Sequence, residues 1–330
     1  MKQHLENNIL IADGAFGTYY AKLTGSTEVP ELANLYHKDI VRQIHREYID
    51  AGARLIRTNT FAADKETLKI NQDEQRQLIT NAYEIAMEVA KEGEANHGEK
   101  VWVAADIGPI AENVFSTDQS VLEEYKTICD VFIELGAEVF LFETFNSLNY
   151  IGPLASYIKE KTNAFVITSF SLNPYGFTRH GMSAKRLVQI LSGMDEVDAF
   201  GFNCGVGASY LNRILKKLTW SNQKYVTVMP NASYSQVVSG RTVYTDNVDY
   251  YVELMKDIYQ QGVNILGGCC GTTPAYIEKL CKTIGKERIH PRKSNQEVED
   301  VTTTIDYSKN DLYNKLQQGV KVIAVELDPP

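Results

Sequence analysis

The chain has 330 residues, 44% hydrophobic and 23% charged, a balance that excludes a disordered or fibrous protein and allows a large buried core. With 33 basic against 42 acidic side chains the formal net charge is −9, which argues against a nucleic-acid backbone or an anionic membrane surface as partner. The apolar run Ile9 to Ala12 is far too short for a signal peptide, and no later run reaches the length of a membrane span. The chain reads as cytoplasmic. Its five cysteines, Cys129, Cys204, Cys269, Cys270 and Cys281, are too few and odd in number for a disulfide framework, which leaves free thiols, a metal site or catalysis.

Eight apolar or β-branched runs follow one another: ILIADG from Ile9, RLIRTNTF from Arg54, VWVAADIG from Val101, EVFLFETF from Glu138, FVITSFSL from Phe165, AFGFNCG from Ala199, YVTVMPNAS from Tyr225 and VNILGGCCG from Val263. Each predicts a buried strand. Between them IVRQIHREYIDAG from Ile40, QRQLITNAYEIAMEVAKEG from Gln75, VLEEYKTICDVFIELG from Val121 and NVDYYVELMKDIYQQG from Asn247 carry helical periodicity. Gly52, Gly136 and Gly262 stand where a left-handed cap would stop a helix just before the next strand. Eight sequential βα units predict an α/β fold of the TIM (β/α)8 barrel type, since a doubly wound sheet usually stops at about five or six strands.

Chemistry in such a barrel sits at the carboxyl ends of the strands. Those ends are polar here: Asp13, Thr58-Asn59-Thr60, Asp106, Glu143-Thr144, Ser169, Ser171, Asn203-Cys204, Asn231 and Cys269-Cys270. Cys204 closes the sixth run and Cys269-Cys270 the eighth, so three sulfurs can converge near the mouth. Three thiolates with an open fourth position suit a catalytic zinc. Neighbouring cysteines on a regular strand would point to opposite faces, and Gly205, Gly207, Gly267, Gly268 and Gly271 give the backbone room to break that pattern. The competing reading makes the same cysteines small buried core residues. Cys129 and Cys281 fall in helical patterns and read as core. None of the six histidines stands at a strand end with ligand spacing.

DGAFGT (Asp13 to Thr18), TNTF (Thr58 to Phe61), GFNCG (Gly201 to Gly205), PNAS (Pro230 to Ser233) and GGCCGT (Gly267 to Thr272) together resemble the homocysteine S-methyltransferase family, in order, over roughly residues 8 to 285. The resemblance implies a barrel with zinc at the carboxyl face of the strands, held by Cys204, Cys269 and Cys270, and transfer of a methyl group to the thiol of L-homocysteine to form L-methionine. It also implies that Asp13 and Glu143 meet the substrate's amino group. Ser233 departs from the glycine common in the PNAG motif. The amides of Gly14 and Ala15 are candidates for the substrate carboxylate, and Asn231 for an exchangeable ligand filling the metal's open position. Thr58, Asn59 and Thr60 either line the pocket or simply satisfy a strand end.

Residues 321–330, KVIAVELDPP, resemble the opening strand of a methylenetetrahydrofolate reductase. The expected organisation is therefore a homocysteine-binding barrel over 1–290, a linker over 291–320 whose stretch 292–308 is polar, and the truncated start of a reductase-like domain over 321–330. FAD and NAD(P)H would belong to that missing domain, which would be the barrel's own partner, and Glu326 carries no role here. Among methyl donors, S-methylmethionine and S-adenosylmethionine carry the positive charge that makes a good leaving group. 5-Methyltetrahydrofolate, directly or through a corrinoid, is the alternative in a full-length fusion. Two other readings are a non-catalytic barrel with a closed structural zinc, and a metal-free aldolase-like or reductase-like barrel.

Overall fold

The computed structural model describes residues 1–110, 117–220, 223–233, 235–238, 241–244, 247–292, 314–315 and 318–319. All eight predicted strands are present: β1 Leu10–Ile11, β2 Leu55–Arg57, β3 Trp102–Ile107, β4 Val139–Phe145, β5 Phe165–Phe170, β6 Ala199–Gly207, β7 Tyr225–Asn231 and, after an antiparallel hairpin of β8 Ser235–Val238 and β9 Arg241–Tyr244, β10 Ile265–Leu266. The barrel strands pair in parallel in the order β1-β10-β7-β6-β5-β4-β3-β2. The Ala12 to Leu55 bridge, with the Asp13 amide donating to the Leu55 carbonyl at 2.9 Å, joins β1 to β2 and closes the ring. The chain therefore folds as a TIM barrel.

Alternate strand residues serve two cores. Leu10, Leu55, Trp102, Ala104, Val139, Leu141, Phe165, Ile167, Ala199, Met229 and Ile265 fill the interior, while Ile56, Val103, Phe140, Phe142, Val166 and Phe200 pack outward with the helices. Extending the inward register past this apolar layer brings Arg57, Asp106, Glu143, Asn203 and Cys269 to the top of the barrel.

Helices cover the outside because their apolar stripes match it. Lys38–Asp50 buries Val41, Ile44, His45, Tyr48 and Ile49, and Gln72–His97 begins at a capping box made by Asn71 and Glu74. Gly52, Gly136 and Gly262 take φ of 104°, 76° and 83°, so the three predicted left-handed stops are where the chain turns into its next strand. Cys129 is buried in helix Asp118–Glu134, and Cys281 lies in helix Pro274–Ile284 against Gly52.

The β8-β9 hairpin was not expected from the periodicity. Its signal is visible in SQVVSGRTVY, two β-branched runs around Ser239-Gly240. Among the described residues no helix is long and apolar enough to cross a membrane. The chain divides into two compact units, Met1–Lys293 and Ser294–Pro330. In the second, the Gln318 amide donates to the Asn314 carbonyl at 3.1 Å, and the segment 321–330 read as a reductase opening lies outside the described residues.

Candidate active site

Cys204, Cys269 and Cys270 meet at the carboxyl end of the barrel, with their sulfurs all within 4.8 Å of one another and Cys204 Sγ 3.9 Å from Cys270 Sγ. The backbone departs from regular strand geometry to achieve this. Cys204 has φ 54° and is followed by Gly205 at φ 67°, a pair of left-handed residues that turns the cysteine out of the β6 ladder. On the other side Cys269 N–H donates to Pro230 O at 2.8 Å and Ala232 N–H donates to Cys270 O at 3.0 Å, which ties both cysteines to the end of β7. Thr272 Oγ1 donates to Cys269 O at 2.7 Å and accepts from Ala15 N–H at 3.0 Å. Gly268 must be glycine, because a Cβ there would lie 2.4 Å from Thr272 Oγ1.

Hydrogen bonding to Cys269, together with burial, pushes the Cys204 thiol up to about 12, although Cys270 pulls the other way. Three clustered thiols cannot all ionise unless a cation joins them, and three soft donors around one point are a fitting set for zinc. Asn231 supplies a further indication: its Oδ1 is buried at the end of β7 with no hydrogen-bond partner among the described residues, as an oxygen kept for a metal's fourth position would be.

The cysteines form one wall of a cavity of about 550 Å³. Arg57, Thr58, Asn59, Thr60, Asp106, Glu143 and Thr144 form another, and Phe16, Val29, Pro30 and Phe61 supply apolar lining. Arg57 organises the polar side. Its Nε donates to Asp13 Oδ1 at 2.7 Å, its Nη1 to Glu143 Oε1 at 2.5 Å and its Nη2 to the carbonyls of Gly14 and Gly268. Burial opposes its charge, but Asp13 and Glu143 prevail and hold it well above its ordinary range. Burial raises the Asp13 carboxyl despite the opposing pull of Arg57. Asn203 completes the network by donating to Glu143 Oε1 at 2.9 Å and Thr144 Oγ1 at 2.7 Å.

Placement separates the sequence candidates. Glu143, Thr58, Asn59 and Ala15 line the cavity. Asp13 sits behind Arg57, with Oδ1 taken by the guanidinium and Oδ2 by the Arg57 backbone N–H at 2.9 Å. The Ala15 amide is committed to Thr272, and Gly14 takes part through its carbonyl. Thr58 and Thr60 clasp the backbone of Asp106, whose N–H donates to Thr58 Oγ1 at 3.0 Å and whose carbonyl accepts from Thr60 Oγ1 at 2.7 Å. Asn59 donates to Pro30 O at 2.7 Å and thereby fixes the segment that forms the cavity rim. Sequence reasoning missed Arg57, and it named Asn203 among the polar strand ends without giving it a task. The inward register of β2 and β6, in step with Leu55 and Ala199, is the signal that finds them.

The homocysteine S-methyltransferase family model matches residues 10–284. The chain belongs to the homocysteine S-methyltransferase family. Among curated relatives of this family member, methionine synthase of Mycobacterium tuberculosis is 26% identical over 93% of the chain and that of Mycobacterium leprae 27% identical over 86%. The chain spans only 27% and 25% of those two proteins. Among solved structures, the apo form of the homocysteine methyltransferase MmuM from Escherichia coli superposes with a TM-score of 0.67 at 22% identity, covering 83% of this chain and 95% of that one. Its metallated form gives 0.67 at 20% identity over 84% and 96%. These likenesses support the barrel fold.

Proposed function

We propose that this barrel transfers a methyl group to the thiol of L-homocysteine, forming L-methionine, with zinc held by Cys204, Cys269 and Cys270. The observation that carries the reading is the convergence of three sulfurs on the wall of a cavity whose other wall presents Glu143 and Arg57. Zinc, when bound, keeps a thiol deprotonated and nucleophilic at neutral pH. The protein's own residues do the rest. Glu143, steadied by Arg57 and Asn203, presents a fixed negative charge for the substrate's ammonium group. Phe16 to Thr18, at the start of helix Gly17–Thr24, line the cavity, and that helix end has no side-chain cap among the described residues; the amides of its first turn suit the substrate carboxylate. Asn231 Oδ1, buried without a partner among the described residues, would serve as the exchangeable oxygen ligand, since oxygen competes poorly at a thiolate-rich zinc.

The charge of the cavity favours a cationic methyl donor. Glu28, Glu31, Asp106 and Glu143 line it, Glu31 and Asp106 with carboxyls raised by burial, and among the described lining residues the one cation is Arg57, which is itself spent on buried acids. Phe61, partly exposed at the mouth, offers an aromatic face that suits a sulfonium. S-Methylmethionine or S-adenosylmethionine fits this field, whereas 5-methyltetrahydrofolate brings carboxylates and a poorer leaving group. The fusion reading, with a barrel over 1–290, a linker over 291–320 and a reductase-like start from 321, would supply that folate in a longer protein, directly or through a corrinoid. It rests on the resemblance of KVIAVELDPP.

Two measurements test the proposal. Metal analysis should find close to one zinc per chain, lost when Cys204, Cys269 or Cys270 becomes Ser; full retention in all three variants would refute the ligand set. Methionine formation from homocysteine should proceed with a sulfonium donor, and turnover on free 5-methyltetrahydrofolate without any on sulfonium donors would reverse the donor assignment.

A further inference from the structure

Asp106 is a buried carboxyl to which neither the motifs nor the reading above gives a task. It continues the inward register of β3 after Trp102 and Ala104, lines the cavity, and has a buried Oδ1 with no hydrogen-bond partner among the described residues. Its backbone is held on both sides by Thr58 and Thr60. A carboxyl oxygen buried without a partner is costly unless a ligand completes it. The Glu143 carboxyl adjoins that of Asp106.

Charge bookkeeping shows what such a ligand would be. The two oxygens of Asp13 are engaged by Arg57, and Asp13 does not line the cavity. Glu143 faces the cavity, but its Oε1 already accepts from both Arg57 and Asn203. A dehydrated ammonium group presents three donors, and the free carboxyl oxygen beside Glu143 belongs to Asp106. We propose that Glu143 and Asp106 together receive the substrate's α-ammonium group, Asp106 taking the place that Asp13 gives up to Arg57. Burial, reinforced by the adjoining Glu143, raises the Asp106 carboxyl well above the usual range, which favours a proton on it before substrate arrives. On binding, the carboxyl O–H bond breaks, its electron pair stays on the carboxylate and the proton passes to solvent. No co-reactant is needed.

The inference rests on the homocysteine reading of the same cavity, and the test separates the two. The metal-loaded protein is titrated calorimetrically with L-homocysteine and with 4-mercaptobutanoate, which keeps the thiol and carboxylate and lacks the amino group. Asp106→Asn should weaken homocysteine binding by about 10- to 100-fold, the effect of losing a charge-assisted hydrogen bond, while the affinity for 4-mercaptobutanoate and the metal content stay at the wild-type level. Repeating the wild-type titrations in buffers of different ionisation enthalpy should show more proton release with homocysteine than with the desamino compound. That second measurement decides the matter if Asp106→Asn does not fold. Equal proton release, or an Asp106→Asn protein that keeps the wild-type preference for homocysteine, overturns the inference. Failure of both thiols to bind the wild-type protein overturns the homocysteine reading itself.

Discussion

Replacing Arg57 with Met removes the cation around which the polar half of the site is built while keeping a stem of similar length. Two buried ion pairs go, at 2.7 Å to Asp13 and 2.5 Å to Glu143, and the carbonyls of Gly14 and Gly268 lose their donor. Breaking one buried pair by deleting a partner costs about 3–5 kcal/mol, because an uncompensated charge stays behind. With two carboxylates orphaned the expectation is the upper end, about 5 kcal/mol, or a fall in melting temperature of about 7–8 °C for a chain of this size. The deficit should depend on pH in a definite direction. Burial already raises the Asp13 carboxyl against the pull of Arg57, and without the arginine it rises further. A carboxyl with a raised folded-state value stabilises the fold while protonated and loses that contribution as pH climbs from its unfolded value through its folded one. The variant should therefore lie closest to wild type near pH 5 and furthest from it near pH 8. Thermal melts at the two pH values measure both quantities. A fall of less than about 3 °C at pH 8, small against the cost of a broken buried pair, or a deficit that grows on acidification, would refute the account of Arg57.

Three further outcomes follow from neighbouring geometry. Gly268→Ala puts a Cβ 2.4 Å from Thr272 Oγ1, which positions Cys269; metal affinity measured by chelator competition should drop about 10- to 100-fold, as when an outer-shell partner is lost, and wild-type affinity would contradict this. His45 is fully buried with both ring nitrogens unpartnered among the described residues, and burial lowers it to about 4. As pH falls from the unfolded value of about 6.5 toward 4 the unfolded chain takes the proton first, a loss of about 3 kcal/mol. His45→Leu should flatten that acid limb in urea titrations, and an unchanged limb would place the acid sensitivity elsewhere. Cys129→Ala, in the hydrophobic core under helix Asp118–Glu134, should cost about 1 kcal/mol and leave the metal content at the wild-type level; metal loss would break the distinction between core and site cysteines.

The barrel was legible because its strands are apolar on both faces. VFLF in β4 sends Val139 and Leu141 inward and Phe140 and Phe142 out toward the helices, and such a run reads as a buried parallel strand without any structure. The glycine stops were legible for a similar local reason: a chain that must reverse within two residues uses a left-handed position. The hairpin of β8 and β9 was obscured because an eight-unit repeat leaves no place for it, although its residues carry the alternation of a hairpin. Cys204, Cys269 and Cys270 could be grouped from strand ends alone, because the metal chemistry of thiols is narrow and the glycines around them advertise an irregular backbone.

The carboxylates were harder, and the reason lies in how charge is compensated in a buried site. Asp13 and Glu143 stand at strand ends, so each suggests a receptor for an ammonium group, but a position says nothing about whether its charge is still available. Arg57 spends Asp13 entirely and Glu143 in part, and no local pattern in RLIRTNTF distinguishes this arginine from one at a solvated strand start. The distinction comes from closure: Leu55 faces the interior, so Arg57 two residues on must do so as well, and a cation there needs buried acids within reach. The same reasoning applied to β3 carries Ala104 to Asp106, a third acid beside a cation that can neutralise only one. A buried cluster of Asp13, Asp106 and Glu143 around a single guanidinium carries an excess of negative charge when ionised, and burial beside Glu143 raises the Asp106 carboxyl, which favours a proton there and lessens that excess. A substrate ammonium can take that proton's place, so the charge left uncompensated by the fold is what the site offers to its ligand.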